Sequence, residues 1–263
     1  MTVKVGRPVV LVIGGSDPTG ASGIQADLRH LAGIGVFGAA VPTALTVQTM
    51  DGVSQVEAVD PDFFRAQLDA VRSTLDVGAV MVSMLANAAI VREAMLWLHA
   101  YYGPVILDPV MESSSGGSLL DEAGRVLLRD LLLPRALMVC PNVRELAWLS
   151  SASAPAHDEA SRHAQADVLL DRGCACVVSK GGHAGGLESV DLVVDDAGME
   201  RLTSPRVPGM FRGAGGAFAV TAAAACARGA EPRVAARFAQ RAVADALVRA
   251  HGLNTPFLSV GST

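Results

Sequence analysis

Short apolar runs alternate along this chain with stretches of helical period, and that alternation limits the possible folds more than any other feature. PVVLVIGG reads as a buried strand ending in glycine, and Ile24, Leu28 and Leu31 then recur at helical spacing up to Gly33 and Gly35. FGAAVPTALTVQ is a second strand region. Asp60-Pro61 is an N-cap and first-turn pair, followed by Phe64, Leu68, Val71 and Leu75 along one helix face. AVMVS, PVILD and Leu137 to Cys140 are further strands, with helices over Ala88 to Ala100, from about Asn142, and over His157 to Asp171. CACVVSKGG is a strand running into a glycine turn, and VDLVVDDAGMERL is a hairpin turning at Asp195 to Gly198. Helices over Gly213 to Arg228 and Pro232 to His251 complete the pattern, the first capped by Gly229.

Strand and helix in alternation predict an α/β fold with a mostly parallel central sheet and helices on both faces. The 263 residues show no internal repeat and no Pro/Ser linker long enough to divide them, so one domain over 1–263 is expected. A net charge of −5 with no basic cluster argues against a nucleic-acid surface. No segment approaches the roughly 18 unbroken apolar residues of a membrane span, and the N-terminal apolar run reads as a strand, not a signal peptide. Cys174 and Cys176 lie two apart in an expected strand, so they should share a face without pairing. With Cys140 and Cys226 they read as reduced, buried thiols of a cytoplasmic protein.

In open parallel sheets, ligands bind beyond the carboxyl ends of the strands. The polar residues expected there are Gly15-Ser16-Asp17, Gln48, Ser83-Met84, Asp108, Asn142 with Glu145, and Lys180-Gly181-Gly182-His183. The segment Arg212-Gly213-Ala214-Gly215-Gly216 opens a helix with unhindered N–H groups, which favour an anion; the glycines equally suit close helix packing. It offers no side chain that accepts a proton. Lys180 is either a counter-charge for phosphate or a solvated lysine before a turn. Asn142 and Glu145 are either an N-cap and its capping-box partner or, through the carboxylate, a water-mediated Mg²⁺ ligand. Asp27 is either a first-turn dipole partner or a ligand contact. His183 is a phosphate donor or a surface turn residue, and Met84 and Met111 are more ordinarily core than ligand wall.

The order of these motifs resembles the hydroxymethylpyrimidine/phosphomethylpyrimidine kinases of thiamin biosynthesis, within the ribokinase-like superfamily. IGGSDPTGASGIQADL, TALTVQTMDGV, FFRAQLDAV, ILDPVM, LLLPRALMVCPNVRELAWL and VVSKGGH carry the resemblance over nearly the whole chain. It implies a ribokinase-like fold and ATP- and Mg²⁺-dependent phosphorylation of 4-amino-5-hydroxymethyl-2-methylpyrimidine and its monophosphate, in a cytoplasmic homodimer. By motif match, Gly15, Asp27, Gln48 and Met84 would meet the aminopyrimidine. Asp108, Asn142, Lys180, Gly213 and Ala214 would serve the nucleotide, and Glu145 and Asp108 the metal. Gly213, Gly215, Gly216 and Lys180 would carry the transfer.

Two departures stand at the chemistry. The family loop usually reads His-Gly-Thr-Gly-Cys, whose cysteine is the proposed base, and here that position is Gly216. Ser114 stands where a lysine is expected after Asp-Pro-Val. Arg212 adds a cation beside the loop that would partly substitute in binding phosphate. The alternatives to an active kinase of this kind are an impaired paralogue that binds pyrimidine or phosphate without efficient turnover, and a pyridoxal-type kinase.

Overall fold

Side chains of β1 (Val9–Ser16) point alternately into two cores. Leu11 and Ile13 enter one, Val10 and Val12 the other, and all four are fully buried. A strand apolar on both faces must be covered on both faces. The computed structural model describes residues 6–113, 116–182, 186–258 and 260 and shows that arrangement. β1 is joined by β2 (Phe37–Gln48), β3 (Val53–Ala58), β4 (Ala79–Val82), β5 (Val105–Leu107), β6 (Met138–Val139), β7 (Val177–Ser179), β8 (Glu188–Asp195) and β9 (Gly198–Pro205). They form one sheet in the order β3-β2-β1-β4-β5-β6-β7-β8-β9. The run from β2 to β7 is parallel; β3 at one edge and the β8–β9 hairpin at the other are antiparallel.

Helices α1 (Gly23–Gly33), α7 (Ala214–Ala227) and α8 (Pro232–Gly252) cover one face; α2 (Pro61–Thr74), α3 (Ala88–His99), α4 (Glu122–Leu127), α5 (Val143–Ser150) and α6 (Glu159–Asp171) cover the other. Caps set most of their starts. Asp60 accepts the Phe63 N–H at 3.0 Å, with Pro61 at the first helical position. Asn87 caps α3 through Ile90 N–H, and Asp158 caps α6 through Ser161 N–H. α7 is buried on every side from Ala217 through Cys226, because it lies between the sheet and α8. Its alanines keep the helix thin enough for both neighbours to approach.

Several elements differ from the sequence reading. β3 was not expected; it pairs antiparallel with β2 across the turn at Asp51-Gly52. The stretch 122–135, to which the sequence reading assigns no element, holds α4, a π turn over Leu128–Leu132 and a 3₁₀ turn over Leu133–Arg135. Asp121 starts it by accepting both Gly124 N–H and Ala88 N–H, so one carboxylate serves two helices. α6 begins at Glu159, not His157. Cys174 and Cys176 lie in opposite cores, because only Val177–Ser179 is strand and the chain before it follows no two-residue period. All four cysteines are buried and free.

The C-terminal segment is tied to α1 by a buried imidazole. His30 Nδ1 accepts the Val260 N–H at 3.1 Å. Burial, with Arg29 adding to it, lowers the His30 pKa from 6.5 to about 4. Protonation would remove the accepting lone pair. The unfolded chain takes up the proton near pH 6.5 and the folded chain near 4, so this contribution is complete above 6.5 and is lost as pH falls through 4. The full loss is about 3 kcal/mol. Urea unfolding of wild type and His30→Gln should therefore show wild type losing more stability on acidification from neutral pH through that window. Asp27 titrates in both proteins and cancels in the comparison; equal losses would overturn the His30 account.

Candidate active site

Because β1, β4, β5, β6 and β7 run parallel, their carboxyl ends lie along one edge of the sheet, and α7 starts against that edge. Gly213 precedes it with φ of +79°, a conformation that side chains rarely adopt. A Cβ on Gly213 would lie 2.5 Å from the Ala21 carbonyl oxygen, one on Gly215 would lie 3.1 Å from Lys180 Nζ, and one on Gly216 would lie 3.3 Å from Asp27 Oδ1. Groups from two distant parts of the sequence, 21–27 and Lys180, thus press on a single helix turn. No side chain caps α7, so the N–H groups of Ala214, Gly215 and Gly216 lack helix-internal partners and favour an anion.

Beneath those amides lies a buried ion pair. Lys180, just after β7, donates from Nζ to Asp108 Oδ1, just after β5, at 2.6 Å. Burial alone would lower the Lys180 ammonium, but Asp108 and then Glu145 outweigh it and hold it above the usual lysine range. Glu145 is pushed up to about 7 by burial, with Asp108 adding to it against Lys180 and the Asn142 N–H. Asp27, on α1, is pushed up to about 8, first by burial and then by Asp108, against Arg29. Lys180 thus faces Asp108 and Glu145, with Asp27 on the far side of Asp108, and an arriving cation would favour the ionised forms of the raised carboxyls.

Asn142 and Glu145 form the capping box of α5: Asn142 Oδ1 accepts Glu145 N–H at 3.0 Å and Glu145 Oε2 accepts Asn142 N–H at 2.8 Å. That leaves Glu145 Oε1, like Asp108 Oδ2, without a hydrogen bond among the described residues. No group of three or more His, Cys, Asp or Glu among the described residues could ligate a metal alone. A hard cation that keeps several waters still fits the two open carboxylate oxygens.

The N-terminal half builds the other wall. A Cβ on Gly15 would lie 2.6 Å from Met84 Sδ, so glycine lets the thioether lie across the end of β1. The Thr43 hydroxyl donates to the Met84 carbonyl at 2.6 Å and fixes that backbone. Within its own loop Asp17 accepts four hydrogen bonds, from the N–H and hydroxyl of both Thr19 and Ser22, at 2.7–2.9 Å. This stiffens the 17–22 loop, whose Ala21 carbonyl meets Gly213. Gln48 Nε2 donates to Asp17 Oδ2 at 3.3 Å and Ser22 Oγ at 3.4 Å.

The structure therefore gathers Asp108, Glu145 and Lys180 beside Gly213 to Gly216, sets Asp27 against Gly216, and joins Gln48 to the same loop through Ser22. The Arg212 guanidinium donates to the Met50 carbonyl and its N–H to Pro256 O at 3.2 Å. Met111 is core. Ser114 and His183 lie outside the described residues. Sequence reading missed two supports of the Lys180 turn. Asp191 Oδ1 accepts Gly181 N–H at 2.8 Å, and buried Arg162 donates to Ser179 Oγ at 3.0 Å and Val190 O at 2.9 Å. Neither carries a local signal, since an arginine on a helix ordinarily reads as a solvated face.

A family model described as phosphomethylpyrimidine kinase matches residues 17–260. A Rhizobium meliloti protein named hydroxymethylpyrimidine/phosphomethylpyrimidine kinase is 40% identical over 199 residues, 76% of this chain and 74% of that protein. The Escherichia coli protein of the same name is 39% identical over 198 residues, 75% of this chain and 74% of its own. Among solved structures, phosphomethylpyrimidine kinase from Clostridium difficile 630 superposes with a TM-score of 0.80 at 28% identity, covering 92% of this chain and 100% of that one. Pyridoxal kinase from Staphylococcus aureus, in complex with AMP-PCP and pyridoxal, gives 0.84 at 28% identity, covering 92% and 88%.

Removing one member of the buried pair strands the other. Lys180→Met should cost about 3–5 kcal/mol of unfolding free energy, and Asp108→Leu/Lys180→Met should recover most of it. Denaturant unfolding of the three proteins checks this; a double variant no more stable than Lys180→Met would show that the pair is not the unit.

Proposed function

This chain belongs to the phosphomethylpyrimidine kinase family, and on that premise we propose that residues 1–263 form one kinase domain of thiamin biosynthesis. It transfers the γ-phosphoryl group of ATP to 4-amino-5-hydroxymethyl-2-methylpyrimidine and to its monophosphate. The observation that carries the reading onto these residues is the convergence of the Lys180–Asp108 pair and Asp27 on the open amides of α7.

In this reading the ring lies by Gly15 against Met84, a polarisable and adaptable wall. The Gln48 amide nitrogen is already engaged by Asp17 and Ser22, so its oxygen is presented to the ring amino group. The Gly213 to Gly216 amides receive the triphosphate tail and stabilise charge as it develops, an anion hole that requires no particular side chain. Asn142, through its backbone position at the end of β6, lines the nucleotide side. Lys180, anchored by Asp108, brings a fixed positive charge that needs no rearrangement during transfer. Mg²⁺, held by Asp108 and Glu145 through water, would supply neutralisation of the phosphate oxygens. Cytoplasmic location and a homodimer follow from the family resemblance; among the described residues no helix is long and apolar enough to cross a membrane.

ADP formation with hydroxymethylpyrimidine, its monophosphate and pyridoxal tests this, alongside ligand-induced thermal shifts. Turnover should be fastest with the pyrimidines, and Lys180→Ala should lower it by roughly 10²–10³-fold, as for loss of one preorganised donor. Binding of the pyrimidine without ADP formation would make the protein a binding paralogue, and turnover of pyridoxal alone would make it a kinase of another alcohol.

A further inference from the structure

We propose that Asp27 is the general base that takes the proton from the attacking hydroxyl, acting in the space that Gly216 leaves open at the start of α7. The proposal rests on the kinase reading above. Phosphorylating an alcohol releases one proton: the substrate oxygen bonds to the γ-phosphorus, its O–H bond breaks, and the γ-phosphorus to bridging-oxygen bond breaks to release ADP. Some group near the amides must receive that proton, and Gly213-Ala214-Gly215-Gly216 contributes no ionisable side chain.

The other titratable groups at this edge have partners, and the open oxygens of Asp108 and Glu145 are those the kinase reading gives to the cation. Lys180 is held cationic and is a donor only. Asp108 is bonded to Lys180 at 2.6 Å. Glu145 closes the capping box of α5. Cys140 is wholly buried, and burial pushes its thiol well above the usual range, so no thiolate is available. Asp27 remains. It is 3% exposed, accepts no hydrogen bond among the described residues, and its Oδ1 lies 3.3 Å from where a side chain on Gly216 would begin. A glycine there leaves the approach to the carboxylate unobstructed. The charged groups acting on Asp27 are Asp108 from the end of β5 and Arg29 from its own helix. After transfer the proton passes to solvent as the products leave.

The two reactions of this enzyme separate catalysis from structure. Hydroxymethylpyrimidine attacks through a hydroxyl that must lose a proton, whereas its monophosphate attacks through an already ionised phosphate oxygen. Asp27→Asn keeps the side chain's shape and removes its basicity. It should slow phosphorylation of hydroxymethylpyrimidine by roughly 10²–10⁴-fold in kcat, with much less effect on the monophosphate. Adding Gly216→Cys to Asp27→Asn should restore part of the first reaction, because it returns an ionisable group to the same space. A structural role for Asp27 would depress both reactions together and would not respond to a cysteine at 216. Equal losses in the two reactions, no loss in either, or no rescue would overturn the assignment while leaving the kinase reading intact. Wild-type protein that forms no ADP from either substrate would overturn both.

Discussion

Close approach of the α7 N-terminus to the strand ends is the constraint on which the rest of the structure depends. The Ala21 carbonyl stands where a side chain on Gly213 would begin, and the Lys180–Asp108 pair and Asp27 close in on Gly215 and Gly216. A side chain at Gly213 would strike the Ala21 carbonyl oxygen and move the helix opening outward, separating the amides from the buried cation. The thin, alanine-rich body of α7 serves the same end, letting the helix lie deep between the sheet and α8. Backbone, not side chain, is therefore the anion-binding surface, and the sheet edge supplies charges that the helix turn cannot carry.

Those charges are not balanced. One ammonium serves Asp108 and Glu145 while Asp27 has none, and the upward displacement of Asp27 and Glu145 reports the cost of crowding carboxylates away from water. Such a cluster is a poor device for stability, since desolvating an ion pair consumes most of its attraction. It is a good device for holding charge in a fixed place before a ligand arrives, which is how preorganised sites lower barriers. The surrounding supports agree with that reading. Asp191 holds the Gly181 N–H, Arg162 braces Ser179, and Asp17 stiffens the loop that meets Gly213, so the residues flanking the cluster have little freedom.

Much of the architecture was legible because strand and helix write different periods. Where the pattern was strong, as in β2 and in the hairpin turning at Asp195 to Gly198, the expected bounds and the observed ones nearly coincide. The failures have local causes. β3 is a half-exposed edge strand with weak alternation, although Asp51-Gly52 is a hairpin turn signal. The 122–135 helix changes pitch at a π turn, which blurs any single period, and its cap Asp121 is shared with α3. Cys174 belongs to the loop before β7, where a strand rule does not apply. At the site, residue types were readable and their partners were not. Glu145 could be a cap or a ligand, and it caps α5 with one oxygen while leaving the other open.

The sequence by itself determined the layered α/β plan, the glycine-rich opening of α7 and the set of polar residues at the strand ends, because periodicity and backbone freedom are local properties. Only the tertiary structure decided that Asp27 faces Gly216, that Lys180 is paired with Asp108 across the ends of β7 and β5, and that Arg212 donates to the Met50 carbonyl. Those relations join residues up to 189 positions apart in the chain, from Asp27 to Gly216. They follow from sheet order and helix depth, which the packing of two cores sets and no neighbouring residues encode.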